Sequence, residues 1–408
     1  MSTAQTLAGA PSVQTPYAAR ILFAFLDRLK GGSLTLCAPG SFQRTFGDGG
    51  GIQARLTLAD WQVLERCLKG GDIAFAETYM EGRWHCDNLA GLVTLLCRNR
   101  DALERAIYGS AISGALYRFK HWLNRNSRAQ ARKNIAAHYD LGNEFYALWL
   151  DSSMTYSSAL FDGSVGQTLE QAQVAKYRRI LERLAPRPGQ TILEIGCGWG
   201  GFAEVAARDF GARVTCLTLS AEQMRFAAER LARAGFGDRV EFQLRDYRDV
   251  EGAFDHVVSI EMFEAVGEQY WDQYFACLRR NLKPGGHALV QSITIDEALF
   301  DRYRKSTDFI QQYIFPGGML PSPTAFRCRA KVAGLTVVDQ FRFGHDYAGT
   351  LRLWRERFMN VLPEVRRIGF DDRFIRLWEF YMAYCEGAFN ADSTDVIQFD
   401  LVLNDGVA

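Results

Sequence analysis

Residues 191–201, TILEIGCGWGG, constrain the chain more than any other stretch. Five residues of strand character run into Gly196, Gly198 and Gly200, and a helical run over 202–209 follows at once. Glycines between a strand and a helix let the chain turn tightly and let backbone amides approach a ligand. A ligand-free βα turn would leave these glycines and two nearby carboxylates, Glu194 and Asp246, without a common reason. The alternation continues downstream. RVTCLTL follows Gly211, a helix spans 221–233, RVEFQL ends before Asp246, and VVSI follows Phe254-Asp255-His256. A helix after Tyr270 then ends at Lys283-Pro284-Gly285-Gly286, which turns the chain into HALVQSI. Strands and helices alternating at this spacing predict a doubly wound parallel α/β sheet in three layers, with its ligand at the carboxyl ends of the strands.

The ligand class narrows by elimination. No GK[ST] follows the glycines, so the phosphate loop of nucleotide hydrolases is missing. A nicotinamide site prefers an acidic residue near the end of the second strand, where this chain has Thr218-Leu219-Ser220. His85, His121, His256, His287 and His345 form no metal spacing and HExxH is absent, so no metal is expected.

With 408 residues the chain suits two domains, and a hydrophobic fraction of 48% excludes a disordered or low-complexity one. The 47 basic and 47 acidic side chains cancel, which argues against a nucleic-acid partner. Nine scattered cysteines without a CxxC pair read as reduced thiols of a cytoplasmic protein. The first residues lack the basic flank and apolar run of a signal peptide, and no stretch approaches a membrane span, so any membrane contact is expected to be peripheral.

Residues 1–123 read as a smaller N-terminal α+β domain. Helical spacing over 19–29, 60–68 and 89–108 is mixed with strand-like runs at 33–37 and 51–58, separated by turns at Gly31-Gly32, 47–51 and Gly70-Gly71. A basic linker, 124–137, leads into a catalytic domain, 138–408. Around that linker Arg118, Arg125, Arg128, Arg132 and Lys133 interleave with Leu116, Phe119, Trp122 and Leu123, a combination that suits an anionic membrane surface and equally a docked, solvated helix.

TILEIGCGWGG resembles the S-adenosylmethionine loop of class I methyltransferases, and its GWGG form resembles the family of cyclopropane-fatty-acyl-phospholipid and mycolic-acid cyclopropane synthases. HYDLGNEFY, MTYSSALF, LTLSAEQ, RDYRD, EMFEAVG, NLKPGG and YIFPGGMLPS follow in family order over 138–390. The resemblance implies a class I S-adenosylmethionine-dependent methyltransferase sheet with a helical lid. It places Tyr156 and Ser157 near the methionine part, Glu194, Gly196 and Gly198 along the ligand, Thr218 and Gln223 near the ribose, and Asp246 with Tyr247 at the adenine. Tyr247 also admits a reading as a packed core aromatic.

An isolated alkene is a poor nucleophile, so the methyl donor must be held close and in line. Methyl transfer leaves a carbocation, and the hydrogen then lost decides between a cyclopropane and a branched alkene. The resemblance implies bicarbonate as the base, held by Ser158, Glu264, Gln291, the Ile293 backbone and Tyr347. Ser158 stands where cysteine is usual, Gln291 where histidine is usual, and Ala265 where MFEHVG has histidine. Ser and Gln still donate hydrogen bonds, but a neutral Gln291 carries no proton. Glu261, three residues before Glu264, could orient Glu264 or a donor group.

The expected activity is therefore methyl(ene) transfer to the cis double bond of an unsaturated phospholipid at the inner membrane surface, giving a cyclopropane chain. The alternatives are a methyl- or methylene-branched product and a non-catalytic lipid-binding protein. A homodimer stands as an expectation. Phe300, Tyr303, Phe309, Tyr313, Ile314 and Phe315 predict a lid along the acyl route. The stripe Phe374, Leu377, Trp378, Tyr381, Cys385 and Phe389 reads as packing against the sheet and also admits lining a lipid tunnel.

Overall fold

The computed structural model of the protein describes residues 15–100 and 141–404. They form two compact units.

In the smaller unit, four strands, β1 (Gly32–Ala38), β2 (Phe42–Gly47), β3 (Ile52–Leu58) and β4 (Trp84–Cys86), lie in the order β2-β1-β3-β4. β1 pairs antiparallel with β2 and parallel with β3. Along β3 the side chains of Ala54, Leu56 and Leu58 are buried while Gln53, Arg55 and Thr57 are exposed, the alternation of a sheet with one covered face. Helices Tyr17–Leu26, Gln62–Met80 and Leu89–Arg98 complete the unit. Gly70-Gly71 breaks the chain locally, as its composition suggested, although between two helical segments and not between strands. Gly71 leaves helical geometry at φ 60° and ψ −142°, a backbone state that glycine tolerates without steric cost, so Gln62–Met80 is two helices meeting at a kink. The basic residues of 118–133 lie outside the described residues.

The larger unit carries a seven-stranded sheet: β5 (Thr191–Ile195), β6 (Arg213–Thr218), β7 (Val240–Leu244), β8 (Phe254–Ile260), β9 (Leu282–Ile295), β10 (Leu335–Arg342) and β11 (Thr394–Leu403). Their order is β10-β11-β9-β8-β5-β6-β7. From β7 to β9 all neighbours are parallel, and β11 runs antiparallel to both β9 and β10. Residues 192–195 of β5 are buried in an unbroken run because helices cover both faces, whereas edge strand β10 alternates buried with exposed. One core cluster gathers Phe263, Trp271, Tyr274 and Phe275, with Phe326 stacked on Phe399 at 4.0 Å. The chain winds from β5 outward through β6 to β7, then returns to β8 on the other side of β5. That reversal opens a crevice at the strand ends. Gly196 follows β5 and Glu261 follows β8, so the topology brings the glycine loop and EMFEAVG to one place.

After β9, short helices Glu297–Tyr303 and Phe309–Tyr313 and the loop 314–322 cross this region, and the long helices Gly344–Asn360 and Asp372–Asn390 pack beside it. Among the described residues no helix is long and apolar enough to cross a membrane.

Candidate functional site: two cavities with a shared wall

The first cavity, about 160 Å³, lies over the glycine loop. Gly196 and Gly200 both have left-handed backbones, with φ 84° and 82°. A Cβ on Gly196 would stand 2.9 Å from Met262 Cγ, and one on Gly200 would stand 3.0 Å from Ala227 Cβ. The loop thus needs glycine for its turn and for close packing, as its sequence suggested.

Tyr156, Ser157, Glu194, Gly196, Gly198, Thr218, Gln223 and Tyr247 all line this cavity. Thr218 Oγ1 donates to Gln223 Oε1 at 3.3 Å, holding the two polar side chains together. Glu194 is buried, and the loss of solvation pushes its carboxyl up to about 7. Asp246 is not among the lining residues. Its carboxylate accepts Arg248 Nη2 at 2.7 Å and Nε at 2.9 Å, so Arg245 and Tyr247 present the local wall instead.

The loop 151–158 closes the cavity from the other side. Arg230 Nη1 donates to Ser153 O at 2.5 Å, and Thr155 Oγ1 lies 3.0 Å from Tyr177 Oη. Behind the loop Lys176 is fully buried, its Nζ donating to Ser157 Oγ at 2.5 Å and Gln173 Oε1 at 2.8 Å. Burial pulls its ammonium down to about 7, against the opposing pull of Glu261, Asp151 and Glu194.

A second cavity, about 190 Å³, adjoins the first. Its wall is largely apolar and aromatic: Ile293, Ile310, Phe315, Met319, Leu320, Leu351, Tyr381, Tyr384, Cys385, Ala388 and Phe389. The lid reading holds in part. Tyr303 and Phe315 face the cavity, while Phe309 is buried against Phe380 and Phe300 lies over Trp271. The stripe on helix Asp372–Asn390 divides between its two readings, core packing and cavity lining. Tyr381, Cys385 and Phe389 line the cavity, and Phe374 and Trp378 pack around Phe145 at 5.4 and 5.2 Å, because a helix end beneath the lid presents its inward face to space.

Tyr156, Glu261 and Ala265 line both cavities and form their common wall. Of the five residues expected around an anion, Ser158, Gln291 and Tyr347 gather at Glu261, while Glu264 and the Ile293 backbone pair with each other. Glu261 Oε1 accepts the Ser158 backbone N–H at 2.9 Å and Gln291 Nε2 at 2.8 Å, and Tyr347 stands near its carboxylate in the wall of the second cavity. Ser158 Oγ turns away and donates to Ala159 O at 2.9 Å. Gln291 Oε1 accepts Gln398 Nε2 at 3.0 Å, which fixes the amide with its donor toward Glu261. Glu264 Oε1 accepts the Ile293 N–H, and burial, reinforced by the neighbouring Glu261 charge, pushes its carboxyl up to about 8. Glu264 is therefore neutral near pH 7. The donors proposed for bicarbonate already face a carboxylate of the chain itself, so the group does not fit an open anion site here.

Sequence reasoning left Glu261 as an orienting group and passed over Lys176. Lys176 had a legible signal, since it sits four residues after Ala172 and four before Ile180 on the buried side of helix Leu169–Leu184. The left-handed backbone of Glu261, φ 48°, carries no such mark in the sequence.

A doubly wound sheet with one antiparallel strand next to its edge, a glycine loop after its central strand and a polar cavity over that loop defines the class I S-adenosylmethionine-dependent methyltransferase fold. Comparison with known proteins specifies the family. A family model described as mycolic acid cyclopropane synthetase matches residues 126–399, and the chain belongs to that family. It is 42% identical to the tuberculostearic acid methyltransferase UfaA1 of Mycobacterium tuberculosis, over 83% of this chain and 81% of that protein. To the cyclopropane-fatty-acyl-phospholipid synthase of Escherichia coli it is 36% identical, over 88% and 90% of the two chains. The crystal structure of mycolic acid cyclopropane synthase CmaA1 complexed with SAH and CTAB superposes with a TM-score of 0.62 at 30% identity, covering 66% of this chain and 97% of that one. The protein is thus an S-adenosylmethionine-dependent C-methyltransferase of the cyclopropane synthase family.

Proposed function

We propose that the protein methylates the cis double bond of an unsaturated phospholipid acyl chain. The observation that carries this reading is the wall of Tyr156, Glu261 and Ala265, shared by a polar cavity over the glycine loop and an apolar one beneath the lid. S-adenosylmethionine, bound in the first cavity, supplies an electrophilic methyl group. The residues of this chain do the rest. Thr218 and Gln223 offer donors and acceptors to a ribose, Tyr247 an adenine-sized face, and the loop 151–158 covers the methionine end. In the second cavity Ile310, Met319, Leu320, Leu351 and Ala388 suit an acyl chain and leave little room for water. Tyr156, Tyr347 and Tyr381 supply aromatic faces that stabilise a developing cation without capturing it.

Cyclopropane closure follows when the proton leaves the new methyl group directly. A methyl- or methylene-branched chain is the second reading, favoured by the 42% identity to a tuberculostearic acid methyltransferase and by Ala265 and Gln291 at the reaction wall. The phospholipid reading draws support from the E. coli relative's name and coverage. A peripheral position on anionic lipid rests on the basic, aromatic segment 116–133. Bicarbonate, the base implied by family resemblance, would have to compete with Glu261 for its donors.

The test incubates the full-length protein with methyl-labelled S-adenosylmethionine and dioleoyl-phosphatidylglycerol vesicles, then fragments the released acyl chains by mass spectrometry. Label at the former double bond is the expected result. Label confined to headgroups, or none in lipid, overturns the reading.

A further inference from the structure

Glu261 occupies a costly position. It is a non-glycine residue at φ 48°, held there as its N–H donates to Gln291 O at 2.8 Å. Such left-handed backbone strain is tolerated where the surrounding structure imposes it, and it clusters at functional sites. Here it directs the carboxylate to the wall between the two cavities, where Ser158 N–H and Gln291 Nε2 donate to it and Tyr347 stands beside it. The two donors come from a loop and a strand far apart in the chain and Tyr347 from a helix, so three of the five residues expected to hold an exchangeable anion gather around this one group.

Resting on the proposed alkene methylation, we propose that the Glu261 carboxylate is itself the base that takes the proton from the transferred methyl group, in place of a bound bicarbonate. As the methyl carbon bonds to one alkene carbon through the π pair, its bond to sulfur breaks and that pair stays on sulfur. The other alkene carbon is left cationic. Glu261 then takes one proton from the new methyl group, and the freed C–H pair closes the ring onto the cationic carbon. If a hydride first shifts between the two former alkene carbons, the same proton removal gives an exocyclic methylene instead. No oxidant or reductant enters either route. The proton leaves Glu261 for water once the products vacate the first cavity.

The surroundings fit this role. Burial raises the Glu261 carboxyl above its ordinary range, which strengthens it as a base, while the Lys176 charge and the Ser158 and Gln291 hydrogen bonds keep the ionised form accessible. Glu264 has its carboxyl pushed up to about 8 and its Oε1 tied to the Ile293 N–H, which favours its protonated form near pH 7 and makes it the weaker candidate for accepting a proton.

The experiment measures methyl incorporation into dioleoyl-phosphatidylglycerol vesicles in carbon-dioxide-free buffer with and without added bicarbonate, together with calorimetric affinity for S-adenosylhomocysteine. The wild type should be indifferent to bicarbonate. E261Q should lose about a hundredfold or more in turnover, the usual share of a general base, with affinity for S-adenosylhomocysteine retained. E261G suits the left-handed backbone and frees the Ser158 and Gln291 donors, so bicarbonate should raise its turnover. A wild type that slows when bicarbonate is withdrawn, or an E261Q enzyme at full turnover, overturns the assignment of the base while leaving alkene methylation standing. A wild type that labels no acyl chain under any condition overturns the proposed function and this inference with it.

Discussion

The hydroxyls of Tyr156 and Tyr381 lie 2.8 Å apart, joining the loop that covers the first cavity to the helix that lines the second. Closure of one compartment is in this way tied to the wall of the other. Tyr156 also packs at 5.3 Å from Trp354 and 5.4 Å from Tyr146, so the link is braced by an aromatic cluster and is not a loose surface contact.

Removing the link without removing the ring tests what it does. Y381F keeps the packing and deletes one hydrogen bond, whose net worth is about 0.5–1.5 kcal/mol. If the bond holds the covering loop in place, affinity for S-adenosylhomocysteine should fall roughly two- to tenfold, since 1.4 kcal/mol is tenfold. Calorimetry on the two proteins decides it, and equal affinities would mean that the loop is held by Arg230 and Lys176 alone.

Asp246 was assigned to adenine from its sequence context, and its carboxylate pairs with Arg248 instead of lining the cavity. Both side chains are nearly buried, at 4% and 8% exposure, so deleting one leaves the other charge uncompensated. D246A should therefore lower thermal stability as well as loosen S-adenosylhomocysteine. The D246A/R248A double variant should regain part of the stability. If Asp246 also touches the adenine, the double variant stays weak in calorimetry; full recovery of affinity would make the carboxylate purely a support for Arg248 and the turn 247–249.

Much of this arrangement was legible because it is local. The glycine loop and the alternation of strands and helices are read along the chain, and β5, β6, β8 and β9 emerged where their apolar runs lie. The partners of Glu261 were not legible. Ser158, Gln291 and Tyr347 meet it only through the winding of β8, β9 and helix Gly344–Asn360, and the backbone strain that aims it leaves no trace in composition. Gly70-Gly71, by contrast, was legible for a local reason: the helical run breaks where Gly71 leaves helical geometry, with buried Val63 and Leu64 before the break and Ile73 and Ala76 after it.

Glu264 supplies a pH test of the site's electrostatics. Its folded carboxyl sits at about 8, above an ordinary value of 4.5, so between these pH values the native protein holds a proton that the unfolded chain has released. Its contribution to stability is present below about 4.5 and is lost as pH rises toward 8. E264Q removes that dependence. The wild-type midpoint temperature should fall relative to E264Q as pH goes from 5 to 8, by up to about 1.4 kcal/mol of stability per pH unit. Parallel melting curves across this window would show that Glu264 is ionised in the native state.

The acyl compartment offers the last test, and it separates the two cavities. Ala388 lines the apolar cavity and does not line the one over the glycine loop. A388F places a ring in a space of about 190 Å³, and overpacking against Tyr384 and Phe389 should cost roughly 1–3 kcal/mol of stability at most. The variant should therefore fold. Its affinity for S-adenosylhomocysteine should match the wild type, because no lining residue of the first cavity has changed. Turnover on dioleoyl-phosphatidylglycerol vesicles should fall at least about tenfold, the effect of losing 1.4 kcal/mol of acyl-chain binding in the transition state. Vesicles of shorter unsaturated chains should recover part of the rate if the ring blocks the far end of the cavity. Calorimetry and labelled-methyl incorporation, run on the same preparation, read the two compartments independently. Unchanged turnover on every chain length in A388F would place the acyl chain somewhere other than beneath the lid.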